Sequence, residues 1–177
     1  MRTVEVVPHH PRWKNVFEIE AMHIAQALGD NIVQTHHIGS TSIPSIYAKP
    51  IIDMMVEVRA IAQVDTQAPA MVKQGYEAMG EYGIPGRRYF RKDNAAGIRI
   101  YHVHVFEVGS EQIERHLAFR DYMRAHPDDA QAYSELKQQL AKAHPMDIDA
   151  YCDGKDGFIQ AMDAKAAEWR SHGDKSS

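Results

Sequence analysis

The sequence contains a single cysteine, Cys152, so no intrachain disulfide can form and a disulfide-stabilised secreted scaffold is excluded. It also lacks an apolar run long enough to span a bilayer, and residues 1–8 contain no apolar signal core. The formal net charge of −4 gives the chain no overall attraction for nucleic acid or an anionic membrane. We therefore expect a cytoplasmic protein without a membrane or nucleic-acid partner, in which any anionic ligand binds at a local basic cluster.

What the sequence does contain is typical of one globular domain. Its 177 residues are 44% hydrophobic and 25% charged, which is enough to bury a substantial core. We predict a single domain over residues 1–172 and a flexible tail at residues 173–177.

The spacing of apolar residues predicts helices and strands in a mixed order, followed by a helical C-terminal part. The predicted strands are 32–38, 50–58, 89–92 and 98–107, and the predicted helices are 11–28, 60–75, 110–125, 127–143 and 148–171. The strand over 50–58 is strongly apolar, which is typical of the centre of a sheet. The pattern indicates an α/β (α+β) protein with a mixed sheet flanked by helices.

Residues 37–53 read HIGSTSIPSIYAKPIID, and this segment resembles the signature of the GrpB family. The resemblance continues in order along nearly the whole chain, at residues 6–8, 86–90, 101–105 and 119–122. Ser45 departs from it, because the family usually has glycine after the proline. The resemblance implies a nucleotidyltransferase-like fold, and the family also occurs fused to dephospho-CoA kinase.

In nucleotidyltransferases of this fold a Gly-Ser loop holds the nucleotide phosphates, and a strand presents two carboxylates, two residues apart, to divalent metal. The resemblance places Gly39 in that loop and Asp53 at the first carboxylate. The second position is Met55, which cannot bind magnesium. Glu57 lies on the same strand face one repeat farther along, and is a possible further ligand. The predicted phosphate-binding loop consists of Gly39, Ser40, Thr41 and Ser42.

Two histidines, His102 and His104, alternate with valines, so both imidazoles should point to one face of a strand. If that strand neighbours the one carrying Asp53, the three side chains form a two-histidine, one-carboxylate set that suits a divalent metal such as Zn or Mn better than Mg. His37 is a possible fourth ligand. The alternative is that these histidines make structural hydrogen bonds or line a metal-free anion pocket.

Basic residues gather near the same predicted strands. The candidates for contact with phosphate are Lys49, Arg87, Arg88 and Lys137. Lys137 lies among the apolar helical positions Tyr133, Leu136 and Leu140, which predicts that it turns inward. The alternative is that most of these charges form a solvated edge.

These observations lead to three hypotheses of function. The first is a nucleotidyltransferase-like enzyme for a phosphorylated or nucleotide small molecule, with Asp53, His102 and His104 as catalytic residues. The second is a non-catalytic domain that binds a nucleotide or coenzyme-A-like ligand. The third is a metal-dependent hydrolase that uses the same three residues. Met55 is the main evidence against the first.

Overall fold

The computed structural model describes residues 3–173. Their helices are α1 (Trp13–Leu28), α2 (Ile61–Lys73), α3 (Glu111–Ala125), α4 (Pro127–Ala143) and α5 (Ile148–Gly173). Their strands are β1 (Ile32–Ile38), β2 (Ile52–Val58), β3 (Glu77–Ala78), β4 (Arg88–Asp93) and β5 (Arg99–Glu107). Of the predicted tail, residue 173 ends α5 and residues 174–177 lie outside the described part. No helix within residues 3–173 is long and apolar enough to cross a membrane.

The chain divides into two compact units. The sheet unit comprises residues 11–39 and 51–113. The helical unit comprises residues 40–50 together with the described residues before 11 and after 113.

The sheet unit contains one five-stranded sheet in the order β1-β2-β5-β4-β3. The central pair, β2 and β5, is parallel, and the other neighbours are antiparallel. The predicted mixed sheet is therefore confirmed. The parallel pair brings Asp53 directly opposite His102 and Met55 opposite His104.

One face of this sheet packs against α1 and α2. Its buried side chains include Met54, Val56, Val103, Val105 and Phe90, which are at most 2% exposed. A buried polar cluster holds α1 in place, because Glu20 Oε1 accepts hydrogen bonds from Lys92 Nζ at 2.6 Å and from the Tyr76 hydroxyl at 2.8 Å. Burial raises the pKa of Glu20, but these two donors outweigh it and hold the pKa below its ordinary value. This face is structural, which leaves the opposite face for chemistry.

The helical unit has its own apolar core between α3, α4, α5 and the segment 40–50. The buried core residues are Ile43, Ile46, Ala118, Tyr122, Met123, Ala130, Tyr133, Met162 and Ala166. Pro127 begins α4, where its missing amide hydrogen costs nothing, and Asp128 and Asp129 complement the helix dipole there. The predicted bounds of α4 are confirmed.

Candidate functional site

The strand registers place a row of polar side chains on the sheet face opposite α1 and α2. Paired residues in neighbouring strands share a face, and the face alternates along each strand. The pairs Asp53–His102 and Met55–His104 therefore lie on one face, together with Tyr89 opposite His104. The sequence prediction that His102 and His104 share a face with Asp53 is confirmed.

Both imidazoles contact the same oxygen of Asp53. His102 Nδ1 lies 3.3 Å from Asp53 Oδ1, and His104 Nε2 lies 3.4 Å from it. The side chains of all three are partly exposed, at 29% for Asp53, 23% for His102 and 15% for His104. Asp53 thus joins two imidazoles into one network that a small molecule in solvent can reach.

Arg87 determines the tautomer of His104. Its Nη1 lies 3.1 Å from His104 Nδ1, and a guanidinium can only donate, so Nδ1 is the acceptor. In neutral His104 the proton is therefore on Nε2, the nitrogen that faces Asp53. The network runs as a chain of donors, from Arg87 to His104 and from His104 to Asp53.

The carboxylate of Asp53 stays ionised in this setting. Burial raises the pKa of Asp53, but the contacts with His102 and His104 outweigh burial and hold the pKa well below its usual range. A permanent negative charge beside His102 Nδ1 keeps the proton on that nitrogen.

Gly39 lies against the same carboxylate. Its φ of +72° is in the left-handed region that favours glycine, and a Cβ added there would lie 2.7 Å from Asp53 Oδ2. The chain after β1 therefore approaches Asp53 more closely than any residue with a side chain allows.

The substitution Gly39→Ala tests this close approach. We expect it to cost roughly 1–2 kcal/mol for the left-handed backbone and about 1–3 kcal/mol more for the displaced carboxylate. Gly97→Ala is the matched control, because Gly97 has a φ of +80° but no atom within 4 Å of the added Cβ. Urea unfolding of both variants measures the difference, and equal losses would show that the contact with Asp53 is unimportant for stability.

The residues present do not fit the two-metal arrangement of nucleotidyltransferases. Met55, in place of the second carboxylate, is fully buried. Glu57 is engaged elsewhere, since its Oε2 lies 2.5 Å from His36 Nε2. Among residues 3–173, no group of three or more His, Cys, Asp or Glu side chains is arranged to hold a metal ion. Because the His104 nitrogen that faces Asp53 carries a proton, the chemistry proposed below uses no metal, and removal of metal by a chelator tests the divalent metal that the sequence predicts.

The interpretation of His37 as a fourth ligand is wrong. Its partner in β2 is Met54, which lies on the face covered by α1 and α2. There the His37 ring stacks on Phe17, with 4.9 Å between the ring centroids. The histidine of β1 on the same face as Asp53 is His36, opposite Met55.

Two of the residues predicted to contact phosphate form hydrogen bonds within the sheet unit. Arg88 forms a bidentate ion pair with Asp65, at 2.7 and 3.1 Å. Arg87 donates to the carbonyl oxygens of Glu81 and Tyr82 as well as to His104. Arg87 is thus held between two backbone carbonyl groups and His104, and Arg88 connects β4 to α2 through Asp65.

The other predicted phosphate contacts belong to the helical unit. Ser40, Thr41 and Ser42 form one turn of 3₁₀ helix in which Thr41 and Ser42 are buried. Lys137 is 1% exposed, so the prediction that it turns inward is confirmed. Lys49 Nζ lies 5.3 Å from the centroid of the Tyr151 ring.

Sequence reasoning missed two members of the site face. His36 pairs with Glu57, and the Tyr89 ring lies 5.3 Å from that of His104 and 5.7 Å from that of His102. Period-two alternation in β1 and β4 carries the signal for both, but it becomes readable only once the strand registers are known.

Comparison with known proteins identifies the family of this chain. The sequence profile described as GrpB protein matches residues 3–165. The chain is 46% identical over 169 residues to the UPF0157 protein YqkA of Bacillus subtilis, a match that covers 96% of this chain and 49% of YqkA. It therefore spans about half the length of that relative.

Solved structures give the same result. The crystal structure of the conserved protein GrpB from Enterococcus faecalis has a TM-score of 0.90 and 44% identity, over 94% of this chain and 99% of that one. Cid1 in complex with its product ApU has a TM-score of 0.52 at 8% identity, over 76% of this chain and 42% of that one, which confirms the nucleotidyltransferase-like fold and nothing further.

A weaker match concerns a dephospho-CoA kinase. The kinase of Mycobacterium leprae is 22% identical over 190 residues, covering 93% of this chain and 46% of the kinase. The profile match, the sequence relatives and the E. faecalis structure agree, and the chain belongs to the GrpB family.

Proposed function

We propose that this chain is a nucleotidyltransferase-like enzyme that acts on a nucleotide or another phosphorylated small molecule. The observation that carries the proposal is the convergence of His102 Nδ1 and His104 Nε2 on Asp53 Oδ1, at 3.3 and 3.4 Å. By the resemblance of residues 37–53, Asp53 matches the first metal-binding carboxylate of nucleotidyltransferases with this fold. The fold is the reason for the substrate class, and the network is the reason for the chemistry.

His102 is the general base of the proposed reaction. Asp53 accepts from its Nδ1, which leaves the lone pair on Nε2, and no side chain within residues 3–173 hydrogen-bonds to that Nε2. A carboxylate that orients one imidazole nitrogen while the other takes a proton is a recurring acid–base arrangement. Contacts of this kind are often long without substrate and shorten when it binds.

The step moves one proton and exchanges one bond. The hydroxyl of water or of an alcohol acceptor attacks the phosphorus of the substrate and loses its proton to His102 Nε2. A bond forms between the acceptor oxygen and phosphorus, and the bond from phosphorus to the leaving group breaks. The leaving group takes the electron pair and then recovers the proton from His102.

His104 and Arg87 are positioning residues. Arg87 fixes the tautomer of His104 through Nδ1, and His104 then donates from Nε2 to Asp53 Oδ1. Two donors on one carboxylate oxygen restrict its rotation, so that His102 is held in one orientation.

A specific observation favours a second function. Met55 is buried where the fold places its second metal-binding carboxylate, as expected for a domain that binds a nucleotide or coenzyme-A-like ligand without turnover. The similarity to a dephospho-CoA kinase fits such an accessory role by analogy.

A turnover screen separates the two functions. The protein is incubated with nucleoside triphosphates, dinucleotides and coenzyme A in buffer with a chelator, and product formation and melting temperature are both measured. We expect turnover in the wild type and a loss of about 10²- to 10⁴-fold in His102→Gln, the usual contribution of a general base. His172→Gln is the control, since that side chain is 69% exposed and pairs with Glu168 of its own helix.

Each outcome of the screen has a clear meaning. If a ligand raises the melting temperature but no product forms, the chain is a binding domain and the proposed enzymatic function is wrong. Turnover that is unchanged in His102→Gln would overturn the assigned base.

A further inference from the structure

The helical unit contains a group of side chains that the proposed chemistry does not use. We call it the lysine cluster, and it consists of Lys49, Lys137, Lys155 and Tyr151. Lys137 and Tyr151 are 1% and 0% exposed. Lys137 Nζ and the Tyr151 hydroxyl are both buried without a hydrogen-bond partner.

A buried amine without an acid is rare in folded proteins. Lysines are almost never fully buried unless they are paired, because removing an ammonium from water is costly. Lys137 Nζ lies over the face of the Tyr133 ring, 4.5 Å from the ring centroid, and this contact replaces only part of the lost hydration.

The neighbouring charges make the site still more positive. Lys49 Nζ and Lys155 Nζ lie 5.3 and 4.8 Å from the centroid of the Tyr151 ring. Burial together with Lys155 and Lys49 lowers the pKa of Lys137 to about 7, and no carboxylate in the described part of the chain acts against this shift. Lys49 and Lys155 thus add to the positive potential at the buried Nζ of Lys137.

Close helix packing holds the cluster together. Gly154 precedes Lys155 in α5, and a Cβ at Gly154 would lie 2.4 Å from Leu140 Cδ2 in α4. The Leu140 side chain of α4 therefore packs directly against the backbone of α5 at Gly154. Lys155 follows Tyr151 by about one turn of α5 and lies close enough to Lys137 in α4 to affect its charge.

We propose that the lysine cluster is a binding site for a phosphate or diphosphate group of a small molecule, with Lys137 Nζ and the Tyr151 hydroxyl as its buried donors. Lys49 and Lys155, which are half-buried, add positive charge to the site. Charge-assisted bonds to phosphate are the strong class of hydrogen bond, and the two unpartnered donors are then satisfied. The site does not depend on the acid–base chemistry of Asp53 and His102.

Calorimetric titration with inorganic phosphate and with pyrophosphate tests the proposal. We expect saturable binding at one site by the wild type, and affinity at least about tenfold lower in Lys137→Met, because one charge-assisted bond is lost. At pH 8 the titration should also show proton uptake, measured in two buffers of different ionisation enthalpy, since the anion favours charged Lys137. Lys142→Met, an exposed lysine of the same helix, is the control and should bind like the wild type.

Two further variants keep the test decisive if Lys137→Met does not fold. Lys155→Ala and Tyr151→Phe change a half-buried charge and a single hydroxyl, and each should weaken phosphate binding several-fold. Absence of saturable binding by the wild type, or equal affinity in all these variants, would overturn the proposal.

Discussion

Replacing Asp53 by asparagine should lower turnover by about 10²- to 10⁴-fold, the loss expected when an oriented base loses its carboxylate. The carboxylate Oδ1 accepts from His102 Nδ1 and from His104 Nε2, and its charge keeps the His102 proton on the nitrogen away from substrate. An amide of the same shape has no charge, and its nitrogen donates instead of accepting. The base then presents the wrong tautomer for part of the time, and the imidazolium formed in the reaction loses its counterion.

A matched substitution separates this effect from a general loss of charge. Asp65→Asn removes a carboxylate from the same unit, but Asp65 is 55% exposed and pairs with Arg88. We expect that variant to retain wild-type turnover. Steady-state rates and urea unfolding of both proteins are the measurements. An Asp53→Asn protein that folds normally and turns over at the wild-type rate would contradict the role given to Asp53.

The substitution Lys137→Met should make the protein more stable at pH 6 and remove a pH dependence that the wild type shows. The pKa of Lys137 is lowered to about 7 by burial and by Lys155 and Lys49, whereas an unfolded lysine has a pKa of about 10.4. Between these values the unfolded state binds more protons, so the stability of the wild type rises with pH by at most about 1.4 kcal/mol per unit. Below pH 7 both states are protonated, and the folded state bears the full cost of the buried ammonium.

The gap between the two proteins is the measured quantity. The difference in unfolding free energy between Lys137→Met and the wild type should shrink by about 2–3 kcal/mol between pH 7 and pH 9, because methionine has a similar volume and does not titrate. Unfolding by urea in buffers without phosphate gives the free energies, and Lys142→Met should remain parallel to the wild type. If the Lys137→Met curve is parallel as well, Lys137 is not a buried neutral amine above pH 7.

The sequence was sufficient for much of the sheet and for part of the site. The alternation of His102 and His104 with valines predicts their shared face, and the helical spacing around Lys137 predicts its burial, both of which the structure confirms. The approach of His102 to Asp53 depends on β2 and β5 being parallel neighbours, and no local pattern contains that information.

The errors have a common physical origin. His37 stands next to the Gly-Ser loop in sequence, but neighbouring residues of a strand point to opposite faces. The antiparallel pairing of β1 with β2 therefore places His36, and not His37, on the face of Asp53. The ion pair of Arg88 was also not foreseen, because its partner, Asp65, is 23 residues away in a different element. Long-range ion pairs of this kind cannot be read from composition or spacing.

The measurement that tests the central claim most directly is the turnover rate of wild-type protein after complete removal of divalent metal by a chelator. The Arg87–His104–Asp53 chain presents a protonated imidazole nitrogen to the carboxylate, and the buried Met55, which cannot bind magnesium, stands at the position that the resemblance assigns to the second carboxylate. We therefore predict a rate that is unchanged by the chelator and lost in His102→Gln. A rate that disappears with the chelator and returns with Mg²⁺ or Zn²⁺ would contradict metal-free acid–base chemistry at Asp53 and His102.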